Sequence, residues 1–67
     1  MKANGNLRRF REQRGMAQTE VGKALCLTGA GYGRIERGEI RLTVEDAAVL
    51  ARLYGVTLTE LLEDPDD

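Results

Sequence analysis

The side chains in this chain best suited to chemistry are arginines and carboxylates, because the sequence has no histidine and one cysteine, Cys26. Without histidine there is no imidazole for acid–base work near neutral pH, and one cysteine can neither close a disulfide within the chain nor fill a zinc site. Carboxylates are present, but none pairs with a nucleophile or a metal-ligand cluster, so the residues argue against an enzyme and imply no metal and no other cofactor. Arginines are suited to binding. Arg34 and Arg37 share one helical stripe with Ala30 and Gly33, and Arg34 is the only long side chain on its central part. A guanidinium at that place can donate two hydrogen bonds at once to a planar acceptor pair such as guanine O6 and N7. The adjoining Gly29-Ala30-Gly31-Tyr32-Gly33 superficially looks like a phosphate-cradling loop. No strand precedes it and no Gly-Lys-Ser/Thr follows, which argues against nucleotide binding.

These residues need helices to position them. The only proline is Pro65, and no stretch alternates apolar and polar residues as a half-buried strand would, so the chain reads as all-α. Asn6 is expected to cap a first helix whose stripe runs through Leu7, Phe10, Arg11 and Arg14 and stops at Gly15. A second helix, Gln18 to Leu25, carries Val21 and Leu25. Thr28 caps a third that ends at Gly38, with Tyr32, Ile35 and Glu36 on its inward stripe. Thr43 and Asp46 resemble a capping box for a fourth helix, whose expected apolar face is Val44, Ala47, Ala48, Ala51 and Tyr54 up to Gly55. Thr57 and Glu60 make a cleaner box for a short fifth helix bearing Leu58, Leu61 and Leu62. The expected domain is residues 1–63, followed by an acidic tail at 64–67. No repeat or low-complexity segment interrupts it.

At 67 residues there is material for one core only, and 42% hydrophobic with 31% charged residues suits a folded chain rather than a disordered one. No run approaches the roughly 20 apolar residues of a membrane span, and the amino terminus has no apolar segment of the kind a secretion signal requires. The expectation is a cytoplasmic protein with no membrane partner and no evident small-molecule ligand. Formal net charge is -1. That total hides an asymmetry: residues 1–41 carry nine basic and four acidic side chains, a net +5, and residues 42–67 carry one basic and seven acidic, a net -6. The basic part could face phosphate while the acidic part points away.

The second and third helices are joined by only a few residues, which forces a steep crossing, and apolar Val21, Leu25, Leu27, Tyr32 and Ile35 with small Gly22 could hold the pair together. That is the helix-turn-helix pattern, here over residues 18–37. The segment FREQRGMAQTEVGKALCLTGAGYGRIERG followed by LTVEDAAVLARLYGVTLTELL resembles the lambda-repressor-like DNA-binding domain of Cro-type and xenobiotic-response-element-type regulators of bacteria and phages. Arg11, Arg14-Gly15, Gln18, Arg34-Ile35-Glu36-Arg37-Gly38 and Leu53-Tyr54-Gly55-Val56-Thr57-Leu58 carry the likeness, which covers nearly the whole chain. It implies a compact five-helix domain whose third helix enters the major groove of double-stranded DNA. It also implies a bacterial or phage-encoded, nucleoid-associated regulator.

Under that resemblance the expected DNA-binding residues are Gln18, Thr28, Gly29, Ala30, Gly33, Arg34, Arg37 and Arg41. Gln18 resembles a family glutamine that holds a phosphate, Thr28 offers its hydroxyl, Arg37 and Arg41 flank the third helix, and Arg34 reads bases. Arg11 and Glu36 fall on inward stripes, and a half-buried carboxylate needs a partner, so the two are expected to form an internal ion pair. Glu39 departs from the basic residue often found after the family glycine, and it would repel phosphate. Three glycines, Gly29, Gly31 and Gly33, weaken the third helix by about 3 kcal/mol relative to alanine. Cys26 stands where the turn between the two helices commonly has glycine in a left-handed conformation.

One such unit reads only a few base pairs, so a homodimer on a pseudo-palindromic operator is expected, with Leu58, Leu61 and Leu62 as candidate interface. At least two of those leucines are equally expected to complete the core. The reading is a small dimeric repressor or controller-type regulator; an antitoxin-like or adaptor module with weakened DNA readout is the competing one.

Overall fold

Among the residues that the computed structural model describes, 5–63, the chain is entirely helix and turn. The helices are α1 (Gly5–Gln13), α2 (Gln18–Ala24), α3 (Gly29–Glu36), α4 (Val44–Tyr54) and α5 (Leu58–Leu62). The expected 64–67 tail and Met1 to Asn4 lie outside the described residues. The radius of gyration is 10.6 Å, close to the roughly 11 Å of a folded domain of this length. This is the all-α, five-helix, lambda-repressor-like architecture that the sequence pattern implied.

Each helix contributes its inward stripe to one core. Leu7 and Phe10 come from α1, Val21 from α2, Tyr32 and Ile35 from α3, Ala47, Leu50, Ala51 and Tyr54 from α4, and Leu61 from α5, with Leu25 just after α2. The face of α4 departs from expectation. Val44 is 78% exposed and Ala48 is also outside, while Leu50 is fully buried. The inward register is set by Ala47, Leu50, Ala51 and Tyr54, a run at i, i+3, i+4, i+7 that begins one turn later.

The two core tyrosines share a hydrogen bond, hydroxyl to hydroxyl at 2.8 Å. Burial and this bond push the Tyr32 phenol far above its ordinary value, and burial raises Tyr54 too, so both stay protonated at any neutral pH. Arg14 covers the Phe10 and Tyr54 rings from outside, its guanidinium 5.4 and 5.5 Å from the centroids.

One closure ends four of the helices. In each, a residue just past the helix, the third after α1, α2 and α3 and the second after α4, donates back to a carbonyl five residues earlier: Met16 to Arg11, Leu27 to Gly22, Glu39 to Arg34 and Val56 to Ala51. The residue before each of those donors is left-handed. Three times it is glycine, as at Gly15, but after α2 it is Cys26 at φ 60°. Cys26 is exposed.

Of the caps read from the sequence, two form in full, one forms in part and one does not form. Thr28 Oγ1 accepts from Gly31 N at 3.0 Å, and Thr57 with Glu60 forms both bonds of its box, at 3.0 and 2.9 Å. Thr43 accepts from Asp46 N at 3.1 Å, but the Asp46 carboxylate is too short to complete a box. Glu20 returns a bond to Ala17 N, which has no side-chain acceptor to reciprocate. Asn6 does not cap α1. It lies inside that helix, 3% exposed, and its Nδ2 donates to Glu60 O and Glu63 O at 3.0 and 2.6 Å, tying the end of α5 to the start of α1.

Candidate nucleic-acid interface

The α2–α3 pair makes the most extensive helix contact in the molecule, and its closeness depends on missing side chains. A Cβ on Gly22 would stand 2.7 Å from Thr28 O and 2.9 Å from Leu27 O. Only glycine lets α2 lie against the backbone that leads into α3. At the start of α3, a Cβ on Gly29 would meet Thr19 Oγ1 at 2.9 Å and the Thr19 backbone at 3.2 Å. The four residues between the helices, Leu25 to Thr28, therefore turn the chain within a space that any larger residue would close.

Glu36 holds this pair to α1. Its carboxylate is 3% exposed and receives Arg11 Nε at 2.6 Å and Arg11 Nη2 at 3.3 Å, and Gln18 Nε2 reaches the same Oε1 at 3.3 Å. Arg11 also donates through Nη1 to Met16 O at 2.9 Å. The hydrogen bond to Glu36 raises the Arg11 guanidinium above its ordinary value. The expected ion pair is present, and it is larger than expected because Gln18, read as a phosphate ligand, is also a member.

Gly33 is where the expectation fails. Its spacing predicts a place on the outward stripe, but it is buried: the Gln18 carboxamide and Arg37 Nη1 lie 3.1 to 3.3 Å from where its Cβ would be. It cannot present itself to a ligand unless those side chains move. Gly29 is half-buried against Thr19 for the same kind of reason. Two of the three glycines of α3 are thus accounted for by packing within the molecule.

The rest of the candidate set is accessible. Thr28, Ala30, Arg34, Arg37 and Arg41 are exposed, and Gln18 is half-exposed. Gln18, Gly33 and Arg37 come together beside an open groove between α1 and the α2–α3 pair. Arg8 and Thr19 also line it, and the sequence reading missed both. Arg8 sits one turn before Arg11 on α1, which is the signal that could have found it. Arg41 stands apart, in the linker between α3 and α4.

The charges on this side are not equally available. Arg8 pairs with Glu12 at 3.1 Å, Arg11 with Glu36, and Arg37 with Glu39 at 2.7 Å. Arg34 and Arg41 make no ion pair or side-chain hydrogen bond among the described residues.

Of the three leucines read as an interface, Leu61 is 3% exposed and belongs to the core, so it is unavailable to a partner. Leu58 and Leu62 are 43% and 61% exposed, on the outer side of α5. Among the described residues no helix is long and apolar enough to cross a membrane, and no three His, Cys, Asp or Glu side chains cluster as metal ligands would.

Comparison with known proteins agrees with this geometry. The family model described as "Helix-turn-helix domain" matches residues 5–63. No curated protein and no solved structure matches.

Proposed function

The chain belongs to the helix-turn-helix domain family, and from that premise we propose that it is a sequence-specific DNA-binding regulator, a small dimeric repressor or controller-type protein that acts by occupying operator DNA. The observation that carries this reading is Arg34. It is exposed on α3, the second helix of the motif, and has no ion pair among the described residues, whereas Arg8, Arg11 and Arg37 are each engaged by a carboxylate. With α3 in the major groove, Arg34 donates to guanine O6 and N7, and short Ala30 one turn earlier lets the helix approach the bases. Thr28 and Arg41 contact phosphates on either side, and Gln18 does so from α2. Gly29 and Gly33 act indirectly, by letting α2 and its Gln18 lie close to α3.

A single unit covers few base pairs. Pairing through Leu58 and Leu62 gives a two-fold dimer that reads two half-sites about one helical turn apart. Such a protein works in the cytoplasm, at the nucleoid, and needs no enzymatic activity.

The test is a fluorescence-anisotropy titration of promoter DNA with wild type and Arg34→Ala across a salt series. Affinity that falls steeply with salt, together with a variant that keeps nonspecific binding but loses about 1–3 kcal/mol of sequence preference, is the expected result. A flat salt dependence would sink the DNA reading. It would favour an antitoxin-like or adaptor role, to which the few long side chains on α3 lend the support.

A further inference from the structure

The groove beside Gln18 has the residues of an anion site, yet its charges are already answered from within the molecule. Arg8, Arg11 and Arg37 line it, and each carries one glutamate: Glu12, Glu36 and Glu39. The three pairs are not alike. The Arg11–Glu36 pair is 13% and 3% exposed, shares Glu36 with Gln18, and holds the fold together, so it cannot be traded for a ligand. The Arg8–Glu12 pair is a local bridge along the surface of α1. The Arg37–Glu39 pair is 56% and 55% exposed and sits at the carboxyl end of the motif.

Its geometry follows from the way α3 ends. Arg37 caps the helix, Gly38 turns left-handed at φ 79°, and Glu39 N donates back to Arg34 O at 2.9 Å. That turn brings the Glu39 carboxylate over the end of α3, where Oε2 accepts from Arg37 Nε at 2.7 Å. The hydrogen bond and charge of Arg37 hold the Glu39 carboxyl below its ordinary value, with a smaller pull from Arg34. Glu39 is therefore ionised at neutral pH and lies in the field of both Arg34 and Arg37. Meanwhile Arg37 Nη1 is folded back over Gly33, next to the Gln18 carboxamide.

We propose that Glu39 is an internal competitor for DNA phosphate: its carboxylate occupies the guanidinium of Arg37 and withholds from the backbone a contact that the groove is otherwise built to make. The inference rests on the DNA reading and deepens it. An exposed carboxylate–guanidinium pair is weak by itself, so it sets no fold, but a phosphate must displace it before Arg37 can bind. Glu39 thereby lowers the sequence-independent part of the affinity, which comes from phosphate neutralisation, and leaves recognition to depend more on Arg34.

The experiment measures binding to a labelled mixed-sequence DNA duplex across a salt series for wild type, Glu39→Gln, Arg37→Ala and the double variant. Both positions changed, 37 and 39, carry exposed side chains, and melting curves confirm equal folding. Releasing one phosphate contact should tighten Glu39→Gln by about three- to tenfold at 0.1 M salt and steepen the log–log salt slope by about 0.9. In the Arg37→Ala background the same change should do little. A gain of equal size with and without Arg37 overturns the proposal, because it would reflect only the removal of a negative charge. So does an unchanged slope in Glu39→Gln when wild type binds with a clear salt dependence, an outcome that leaves the DNA reading intact. Failure of all four proteins to bind any duplex would bring down both.

Discussion

Arg11 Nε lies 2.6 Å from Glu36 Oε2, joining α1 to α3 across 25 residues of sequence, and Gln18 of α2 bonds the same carboxylate. One buried acid thus fixes the relation of three helices. Removing either partner of such a pair strands a desolvated charge, and Glu36→Ala should cost about 3 kcal/mol. For a domain of this size that is a large share of its stability. Replacing both residues, Arg11→Met with Glu36→Leu, should cost less than Glu36→Ala alone. Urea titrations of the three proteins check the order, and an unchanged midpoint for Glu36→Ala would refute the role of the pair.

Alanine favours helix over glycine by about 1 kcal/mol, yet Gly22→Ala should destabilise. Its Cβ would meet the Thr28 and Leu27 carbonyls at 2.7 and 2.9 Å, and both are backbone atoms that cannot step aside. The expected net loss is about 1–3 kcal/mol. Gly29→Ala should cost less, since its nearest clash is the Thr19 hydroxyl at 2.9 Å. Thermal melts of both variants measure the difference, and equal or raised melting temperatures would count against the close approach.

Cys26 offers the opposite case. A side chain at φ 60° is strained by about 1–2 kcal/mol, part of which glycine gives back as greater freedom of the unfolded chain. Cys26→Gly is expected to raise stability by about 0.5–1 kcal/mol, and Cys26→Val to lower it. Chemical denaturation of the pair provides the check.

The proposed dimer separates two neighbouring leucines. Leu62 is 61% exposed and Leu61 is 3% exposed. Leu62→Asp should leave the melting temperature of dilute protein nearly unchanged while shifting sedimentation toward the monomer and weakening operator binding. Leu61→Asp should unfold the domain. A dimer that survives Leu62→Asp and Leu58→Asp together places the interface elsewhere.

The α5 cap should respond to acid. Thr57 backbone and side chain hold the Glu60 carboxyl below its ordinary 4.5, so this interaction is complete at neutral pH and is lost only as pH falls through the lowered value. The Thr57 amide resonance should therefore stay put from neutral pH down to the ordinary carboxyl value and move only as the pH falls below it. Glu60→Gln, which keeps the acceptor but not the charge, should abolish that movement.

Much of this was readable beforehand because it is local. Thr28, Thr57 with Glu60, Gly15 and Cys26 announce themselves through short-range rules of capping and turn closure, and the inward stripe of α3 gave Tyr32, Ile35 and Glu36 together. The failures share a different cause. Asn6 has the composition of a cap, and only the position of α5, more than fifty residues on, makes it a partner for that helix instead. Val44 and Ala48 fit the period of α4 as well as Leu50 does, and packing decided among them. Gly33 looked outward by spacing, but the reach of Gln18 and Arg37 from their own positions covers it. Groove residues Arg8 and Thr19 become neighbours only once α1 and α2 are folded together.

The clasp that Asn6 makes on the carbonyls of Glu60 and Glu63 also orders the birth of the protein. A ribosome delivers the amino terminus first, so Asn6 waits, with its amide still in water, until α5 has been made. The α2–α3 contacts join residues close in the sequence, but the Asn6 clasp can form only when synthesis has passed residue 63. A chain cut short before α5 would keep the α2–α3 pair but lack both carbonyls that the Asn6 amide holds.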